Sequence, residues 1–206
     1  MITTLYIIRH GQTNNNITNL WIGQTDVLMN DFGRSQARGL SKLFSKTHID
    51  VILSSPLKRA LETGRIVAKG HKETDFIIVP AFIEIDCGKA TGLLENEARK
   101  KFPKIFGQWA KNLDPRMPGG ESNEDIEKRA IPALNRFLRT YQGKTILISG
   151  HAMLNKNLIG HFMGTPYGKR FRLRQANACV NEITIDDNIH DSDKIKVKKI
   201  NWRPEF

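Results

Sequence analysis

The chain lacks most of the features that mark secreted, membrane-spanning or metal-binding proteins. Its 206 residues include two cysteines, Cys87 and Cys179, which are too few for a disulfide framework and lack the spacing of zinc ligands. No apolar run approaches the roughly 20 residues that span a bilayer. The N-terminal apolar stretch is short and has no basic region before it, which is atypical of a signal peptide. We therefore expect a cytoplasmic protein that does not interact with membranes.

Acidic residues are also in deficit. The chain has 32 Lys and Arg against 21 Asp and Glu, a formal net charge of +11. Such a charge favours anionic partners, which could be nucleic acid, anionic lipid or small phosphorylated substrates. The cations are spread along the chain, with one modest cluster at residues 194–199, and no recognition helix or aromatic stacking pattern accompanies them. The sequence therefore does not predict nucleic-acid binding.

Familiar cofactor motifs are missing as well. Gly143-Lys144-Thr145 matches the end of a Walker loop, but Leu138 occupies the position of the earlier glycine. No Gly-x-Gly-x-x-Gly pattern occurs, so we expect no nucleotide cofactor and no metal. Four histidines carry no partner motif and are interpreted as structural or surface residues: His48, His71, His161 and His190. Cys87 is interpreted as a small buried side chain.

Strand-like and helix-like stretches alternate along the chain. Short apolar runs predict extended segments at 3–8, 50–55, 76–85, 144–149, 178–185 and 194–201. Helical patterns lie between them, and the longest helix is predicted to begin at Ser122, with Asp125 in capping-box spacing. This alternation predicts an α/β fold, a three-layer sandwich with a mostly parallel central sheet flanked by helices.

Three local expectations follow from the same patterns. Ser55 is available to cap a helix that starts near Pro56. The helix before it is expected to turn Ala37, Leu40, Leu43 and Phe44 toward the core. Residues 86–121, rich in Gly and Pro and with one short predicted helix, are expected to form a cap inserted into a single domain of residues 1–206.

Reactive side chains gather at the ends of the predicted strands. The first strand ends in Arg9 and His10, and the second leads into a helix that carries Arg59. Glu84 lies near the end of the third predicted extended segment, and the fourth ends just before Gly150 and His151. Open parallel sheets bind ligands outside the carboxyl ends of their strands. We therefore expect these side chains to share one site, which suits a phosphate because guanidinium groups match its oxygens.

These residue types suit phosphoryl transfer. A histidine beside cations is biased toward its neutral form, which has a lone pair that can attack phosphorus. A carboxylic acid can protonate the departing oxygen, and a second histidine can donate hydrogen bonds to the equatorial oxygens. Gly11 is expected to turn the chain so that the two side chains before it reach one pocket and backbone N–H groups face the anion. Gly150 is expected to act in the same way on the other side.

Five segments of the chain resemble the motifs of a known family. They are "RHGQT" at 9–13 with Asn16 three residues beyond, "SSPLKRALET" at 54–63, "EIDCGKATG" at 84–92, "PGGES" at 118–122 and "LISGHAMLN" at 147–155. The family is the histidine phosphatase superfamily, in its phosphoglycerate mutase-like branch. The resemblance extends over nearly the whole chain.

The resemblance implies a metal-independent phosphomonoesterase that acts on small phosphorylated metabolites. His10 would be the nucleophile that becomes phosphohistidine. Glu84 would be the proton donor and would then activate the hydrolytic water, with Asp86 as the alternative acid.

The resemblance also implies a set of substrate-binding residues, namely Arg9, Asn16, Gly23, Gln24, Arg59 and His151. Gly23 and Gln24 would line the mouth of the site, and the others would hold the phosphoryl group. The chain departs from the family's usual residues at Ala90-Thr91 and at Ala152-Met153, which bears on the identity of the substrate.

Two other functions stay open. A mutase would return the phosphoryl group to a sugar acid, but the mutase segment Glu-Arg-His-Tyr-Gly is absent, which favours a phosphatase. A non-catalytic domain would bind phosphorylated ligands without reacting, yet binding alone requires the arginines and not the two histidines. The protein is expected to be a monomer or a homodimer.

Overall fold

Strands and helices alternate along the computed structural model, which describes residues 1–186, 188 and 194–204 and so leaves His190 outside the described residues. The strands are β1 Ile2–Arg9, β2 Val51–Ser54, β3 Asp75–Ile78, β4 Thr145–Gly150, β5 Val180–Asp186 and β6 Ile195–Trp202. The helices are α1 Asn14–Thr18, α2 Asp31–Phe44, α3 Lys58–Ala68, α4 Glu95–Lys101, α5 Pro103–Ala110, α6 Asn123–Thr140, α7 Ala152–Phe162 and α8 Tyr167–Arg170. Within the described ranges, none of the helices has the length and apolar character of a membrane span.

The strands form one sheet in the order β3-β2-β4-β1-β5-β6. Strands β3, β2, β4 and β1 run parallel, and β5 and β6 add antiparallel pairs beside β1. The register sets Arg9 opposite Gly150 and Ser54 opposite Ser149. Strands β1, β4 and β2 therefore end side by side at one rim, and the predicted, mostly parallel sheet is confirmed.

Side chains of β1 alternate between two cores. Leu5 and Ile7 pack in a cluster with α6 and α7, whereas Ile8 packs on the opposite face with α2 and α3. All three are fully buried, and burial of such a side chain contributes roughly 1.5–3 kcal/mol. Successive side chains of β1 point to opposite faces of the sheet, and helices cover both faces. The predicted three-layer sandwich is therefore confirmed.

Two local predictions are wrong. Helix α3 begins at Lys58 with Leu57 as its N-cap, so Ser55 does not cap it. The Ser55 N–H instead donates to the Ser149 carbonyl at 3.0 Å, which continues the strand pairing past the end of β2. On α2, Leu43 is 36% exposed, because Phe44, four residues after Leu40, takes the core position.

Residues 86–121, called the cap segment below, contain two short α-helices rather than the one predicted. Helix α4 ends before Phe102, and α5 begins at Pro103. Helical backbone is disfavoured at a residue that precedes proline, because the proline ring clashes with it. Phe102 accordingly has φ −125° and ψ 50°. Apolar side chains of this segment pack in a cluster of their own around Cys87, Ala98 and Met117, so Cys87 is a buried side chain as predicted.

Hydrogen bonds join the N-terminus of α6 to the cap segment. Ser122 is the N-cap and Asp125 completes the capping box, as predicted. The Asp114 carboxylate accepts hydrogen bonds from the N–H groups of Asn123 at 3.0 Å and Glu124 at 2.9 Å. A negative charge at a helix N-terminus is favourable, so Asp114 stabilises the contact between the cap segment and the core.

Arg9 and His10, the two residues before Gly11, do reach one cavity, but the prediction that the N–H of Gly11 faces an anion is wrong. Its backbone is not in the left-handed region, and its N–H donates to Thr63 Oγ1 at 3.1 Å instead of facing a ligand. A Cβ at Gly11 would lie 2.2 Å from the carbonyl oxygen of Gly33, and one at Gly33 would lie 2.1 Å from that of Gln12. Gly150 likewise has no left-handed backbone, and a Cβ there would lie 2.6 Å from a side-chain oxygen of α7. These glycines allow close packing.

Gly33→Ala is expected to lower the free energy of unfolding by about 2 kcal/mol or more, because the new methyl group meets a backbone oxygen that has no room to move. Gly107→Ala in α5 is the matched control. A Cβ there has open space, so the better helix propensity of alanine is expected to add up to about 1 kcal/mol. Urea unfolding of both variants measures the difference, and equal midpoints would contradict the packing argument.

Candidate active site

A cavity of about 580 Å³ opens at the rim where β1 ends. Its wall includes Arg9 and His10 from the end of β1, Arg59 from α3, and Glu84 from the segment after β3. His151 is fully buried beside them, with 5.3 Å between its ring centroid and that of His10. The structure thus brings together the five side chains that the sequence delivers on separate segments.

The His10 ring is held in one orientation. Its Nδ1 lies 2.7 Å from the Gly11 carbonyl oxygen. Because a carbonyl oxygen only accepts, Nδ1 carries the proton and Nε2 keeps its lone pair. Burial and then the charges of Arg9 and Arg59 hold the pKa of His10 well below its usual 6.5. The ring is therefore a neutral imidazole with a nucleophilic nitrogen.

Two guanidinium groups flank this ring without a carboxylate partner among the described residues. Arg9 donates to the Gln175 carbonyl at 2.6 Å, and Arg59 donates to the carbonyls of Thr25 and Gly23 at 2.7 and 2.8 Å. The Nε atom of each arginine is buried and has no hydrogen-bond partner. Burial lowers the pKa of both groups, but arginine stays charged. The site is suited to an anion with several oxygens.

Ser55, which the sequence analysis assigned to a helix cap, contacts His151. Its Oγ lies 2.7 Å from His151 Nε2 and also accepts from the Leu57 N–H at 3.3 Å. The serine hydroxyl has one proton and can donate it to Nε2, which places the proton of the neutral ring on Nδ1. That Nδ1 is buried without a partner. Burial, followed by the nearby Arg59, lowers the pKa of His151 well below 6.5.

The Glu84 carboxylate lies at the first turn of α7. It accepts three backbone hydrogen bonds, from Ile85 at 2.9 Å, Leu154 at 3.1 Å and Met153 at 3.2 Å. These bonds fix its orientation, and the side chain is 8% exposed on the cavity wall. Asp86 also lines the cavity, but its Oδ1 accepts from the Gly88 N–H at 2.8 Å.

The remaining predicted binding residues differ in their placement. Asn16 lines the cavity, and its Oδ1 accepts from Asn177 at 2.9 Å. Gly23 also lines the cavity. Gln24, expected beside it at the mouth, instead donates to the Glu84 carbonyl at 3.0 Å and supports the chain at that residue.

The outer part of the cavity was not foreseen in the sequence. Its aromatic side chains are Trp21, Phe106, Trp109 and Phe171. The rings of Trp21 and Trp109 stack with 5.9 Å between centroids, and Phe106 meets Trp109 edge-on at 5.0 Å. Two of these rings belong to α5, so the cap segment builds this wall. No short sequence motif predicts this aromatic wall, because its residues are far apart in the chain.

The model of the histidine phosphatase superfamily (branch 1) matches residues 5–198. A match over nearly the whole chain shows the family, so the protein belongs to the histidine phosphatase superfamily.

Several proteins that are similar in sequence or in structure carry names that state an activity. Phosphoserine phosphatase 1 of Hydrogenobacter thermophilus is 27% identical over 184 residues, which is 89% of this chain and 87% of that protein. A 2,3-bisphosphoglycerate-dependent phosphoglycerate mutase 2 of Gloeobacter violaceus is 31% identical over 71% of this chain and 69% of its own length. A mycobacterial glucosyl-3-phosphoglycerate phosphatase has the same fold, with a TM-score of 0.86, 21% identity and coverage of 98% and 99%. Relatives and structural neighbours thus include named phosphatases of this superfamily, together with a relative named as a mutase.

Proposed function

We propose that the protein is a phosphomonoesterase that hydrolyses small phosphorylated metabolites through a phosphohistidine on Nε2 of His10. The observation that carries this proposal is the 2.7 Å contact between His10 Nδ1 and the Gly11 carbonyl. It leaves the other ring nitrogen unprotonated in a cavity wall that also holds Arg9 and Arg59. A neutral nucleophile beside two unpaired guanidinium groups suits attack on a phosphate dianion.

In the first step, Arg9, Arg59 and the Nδ1–H of His151 bind the phosphoryl oxygens. The lone pair of His10 Nε2 forms a bond to phosphorus while the phosphorus–oxygen bond to the alcohol breaks. The departing oxygen takes its proton from Glu84, whose carboxyl group is oriented by three backbone amides. Charge on the transferred group is neutralised by side chains fixed in advance.

In the second step, water replaces the alcohol. Glu84, now a carboxylate, takes a proton from the water as its oxygen attacks phosphorus and the nitrogen–phosphorus bond breaks. Phosphate leaves, and His10 returns to its neutral form. Because cationic side chains supply the neutralisation, we propose that neither step requires a metal ion.

The cap segment is proposed to select the alcohol part of the substrate. Support comes from Phe106 and Trp109, which α5 contributes to the outer cavity. A cytoplasmic location remains a proposal as well. It is supported by Cys87 and Cys179, which are free and buried thiols, as expected in a reducing compartment.

A mutase is the second candidate, because one relative at 31% identity bears that name. The two activities share the first step and differ in whether water or a phosphoglycerate accepts the phosphoryl group. Incubation with 3-phosphoglycerate and its bisphosphate separates them. A phosphatase releases inorganic phosphate, whereas a mutase produces the isomeric monophosphate.

The direct test is hydrolysis of p-nitrophenyl phosphate in the presence of EDTA. The wild type is expected to stay active, and His10→Ala to lose at least about 1,000-fold in kcat, because the nucleophile is gone. His48→Ala is the matched control, since His48 is an exposed histidine outside the cavity. Activity that disappears with EDTA, or that survives in His10→Ala, would contradict the proposal.

The role of Glu84 is tested by changing the leaving group. Glu84→Gln is expected to lower kcat on an alkyl phosphate by about 100-fold or more, because the alkoxide needs a proton. The loss on p-nitrophenyl phosphate is expected to be much smaller, since nitrophenolate departs without one. Asp86→Asn is the matched control, and a larger leaving-group effect in that variant would assign the acid to Asp86.

A further inference from the structure

The cavity contains a lysine that the proposed reaction does not use. Lys156 lies on α7, two residues beyond Leu154, whose amide holds Glu84. Its Nζ donates to the Phe171 carbonyl at 2.7 Å. Among the described residues it has no other hydrogen-bond acceptor and no carboxylate within ion-pair distance. An ammonium group has three donors, so two of them lack an acceptor.

Partial burial makes this arrangement of Lys156 costly. Removing an ammonium group from water disfavours its charged form, and one carbonyl oxygen offsets only part of that cost. Burial lowers the pKa of Lys156 to about 8, with nearby Glu84 raising it and Arg9 lowering it. The group is therefore still charged at neutral pH. A half-buried cation on the wall of a cavity is stabilised by an anion that enters the cavity.

A second cation lies beside it. Arg172 lines the same cavity and contacts the Phe171 ring at 5.7 Å, with no ion pair to any described residue. Arg99, which also reaches the cavity, is already paired with Glu95 at 2.6 Å. Lys156 and Arg172 are thus the outer cations that have no carboxylate partner in the described part of the chain.

The acidic groups of the outer cavity are engaged elsewhere. Asp114 accepts from the N-terminus of α6, and Glu121 pairs with Arg129 at 2.8 Å. Neither carboxylate therefore supplies the charge that Lys156 and Arg172 lack. Glu84 is the remaining nearby acid, since it raises the pKa of Lys156, but the proposed reaction uses that group for proton transfer. An anion of the ligand is therefore the partner that suits Lys156 and Arg172.

We propose that Lys156 and Arg172 bind a second anionic group, a carboxylate or a phosphate, on the alcohol part of the phosphomonoester. The inference rests on the proposed phosphatase function and names its substrate class. Lys156 and Glu84 line the same cavity, and an amide of the helix that carries Lys156 holds the Glu84 carboxylate, so this subsite shares the cavity with the carboxyl group that serves the ester oxygen. Lys156 is a specificity-determining residue in this account.

A purely structural role for Lys156 makes a different prediction. The lysine would then only tie the Phe171 carbonyl at the end of α8. Its loss would lower stability, or lower activity on every substrate alike. A variant that loses activity on acidic substrates alone indicates the binding role, whereas an equal loss on every substrate indicates the structural role.

The experiment compares three substrates that differ in the second group. Glycerol 3-phosphate has a hydroxymethyl group, 3-phosphoglycerate has a carboxylate, and propanediol bisphosphate has a second phosphate. The wild type is expected to have a higher kcat/KM on at least one of the two acidic substrates, and the preferred one identifies the anion. Lys156→Met is expected to lose about 10- to 100-fold on that substrate and little on glycerol 3-phosphate, as a charge-assisted hydrogen bond is lost.

Further variants keep the test decisive. Lys156→Arg is expected to retain most of the preference, because the charge remains. Arg172→Gln changes an exposed side chain and is expected to reduce the preference several-fold with the fold intact, so it decides the question if Lys156→Met does not fold. Arg174→Gln, an exposed neighbour outside the cavity wall, is the control.

Equal wild-type kcat/KM on all three substrates would overturn the inference, as would a uniform loss in Lys156→Met. Those results would leave the phosphatase proposal standing. Absence of any hydrolysis, with p-nitrophenyl phosphate included, would instead refute the proposed function together with the inference that rests on it.

Discussion

The hydrogen bond from His10 Nδ1 to the Gly11 carbonyl is the interaction on which the rest of the site depends. It assigns the proton to one ring nitrogen and the lone pair to the other. Burial and two guanidinium charges then disfavour the protonated ring. A basic surface would ordinarily bind phosphate without reacting with it. In the proposed reaction, the cations that bind the anion also favour the neutral histidine, in addition to its burial, so binding and reactivity share a cause.

The scaffold brings these groups together through strand register rather than through unusual backbone. The His10 N–H donates to the Gly150 carbonyl at 3.0 Å, so the residues after β1 and β4 stay paired at the rim. Ser55 is held in the same way after β2, which places its hydroxyl on His151. The buried Nε–H donors of Arg9 and Arg59 have no hydrogen-bond partner among the described residues, which is electrostatically costly. An anion that completes these hydrogen bonds stabilises the folded protein.

Much of the fold and of the candidate site was predictable from the sequence because it depends on residues that are close together in the chain. The apolar run of β1 and its abrupt end at Arg9 and His10 give both the strand and its position at the rim. Leu43 was misjudged because an apolar residue at the margin of a helical stripe satisfies the same periodicity as Phe44. Ser55 was misjudged because a serine before a proline suits a helix cap, and only the pairing of β2 with β4 shows that its hydroxyl reaches His151.

Other features depend on distant parts of the chain and leave no local signal. The need for Gly11 arises from a carbonyl of α2, at Gly33. The outer wall combines residues of the loop after α1, of α5 and of the loop after α8. Lys156 is significant there because no carboxylate of the described residues forms an ion pair with it. The resemblance to a family predicted the reacting residues, whereas the residues proposed to select a substrate became visible only in the cavity that the cap segment and α7 both line.

The measurement that tests the central claim most directly is the site of phosphorylation. The enzyme would be mixed with a phosphomonoester and quenched in alkali, in which phosphohistidine survives, and the modified residue and ring nitrogen would be identified by mass spectrometry and NMR. The account predicts a phosphoryl group on Nε2 of His10, and none in His10→Ala. Modification of Nδ1, which donates to the Gly11 carbonyl, or of another residue would contradict it.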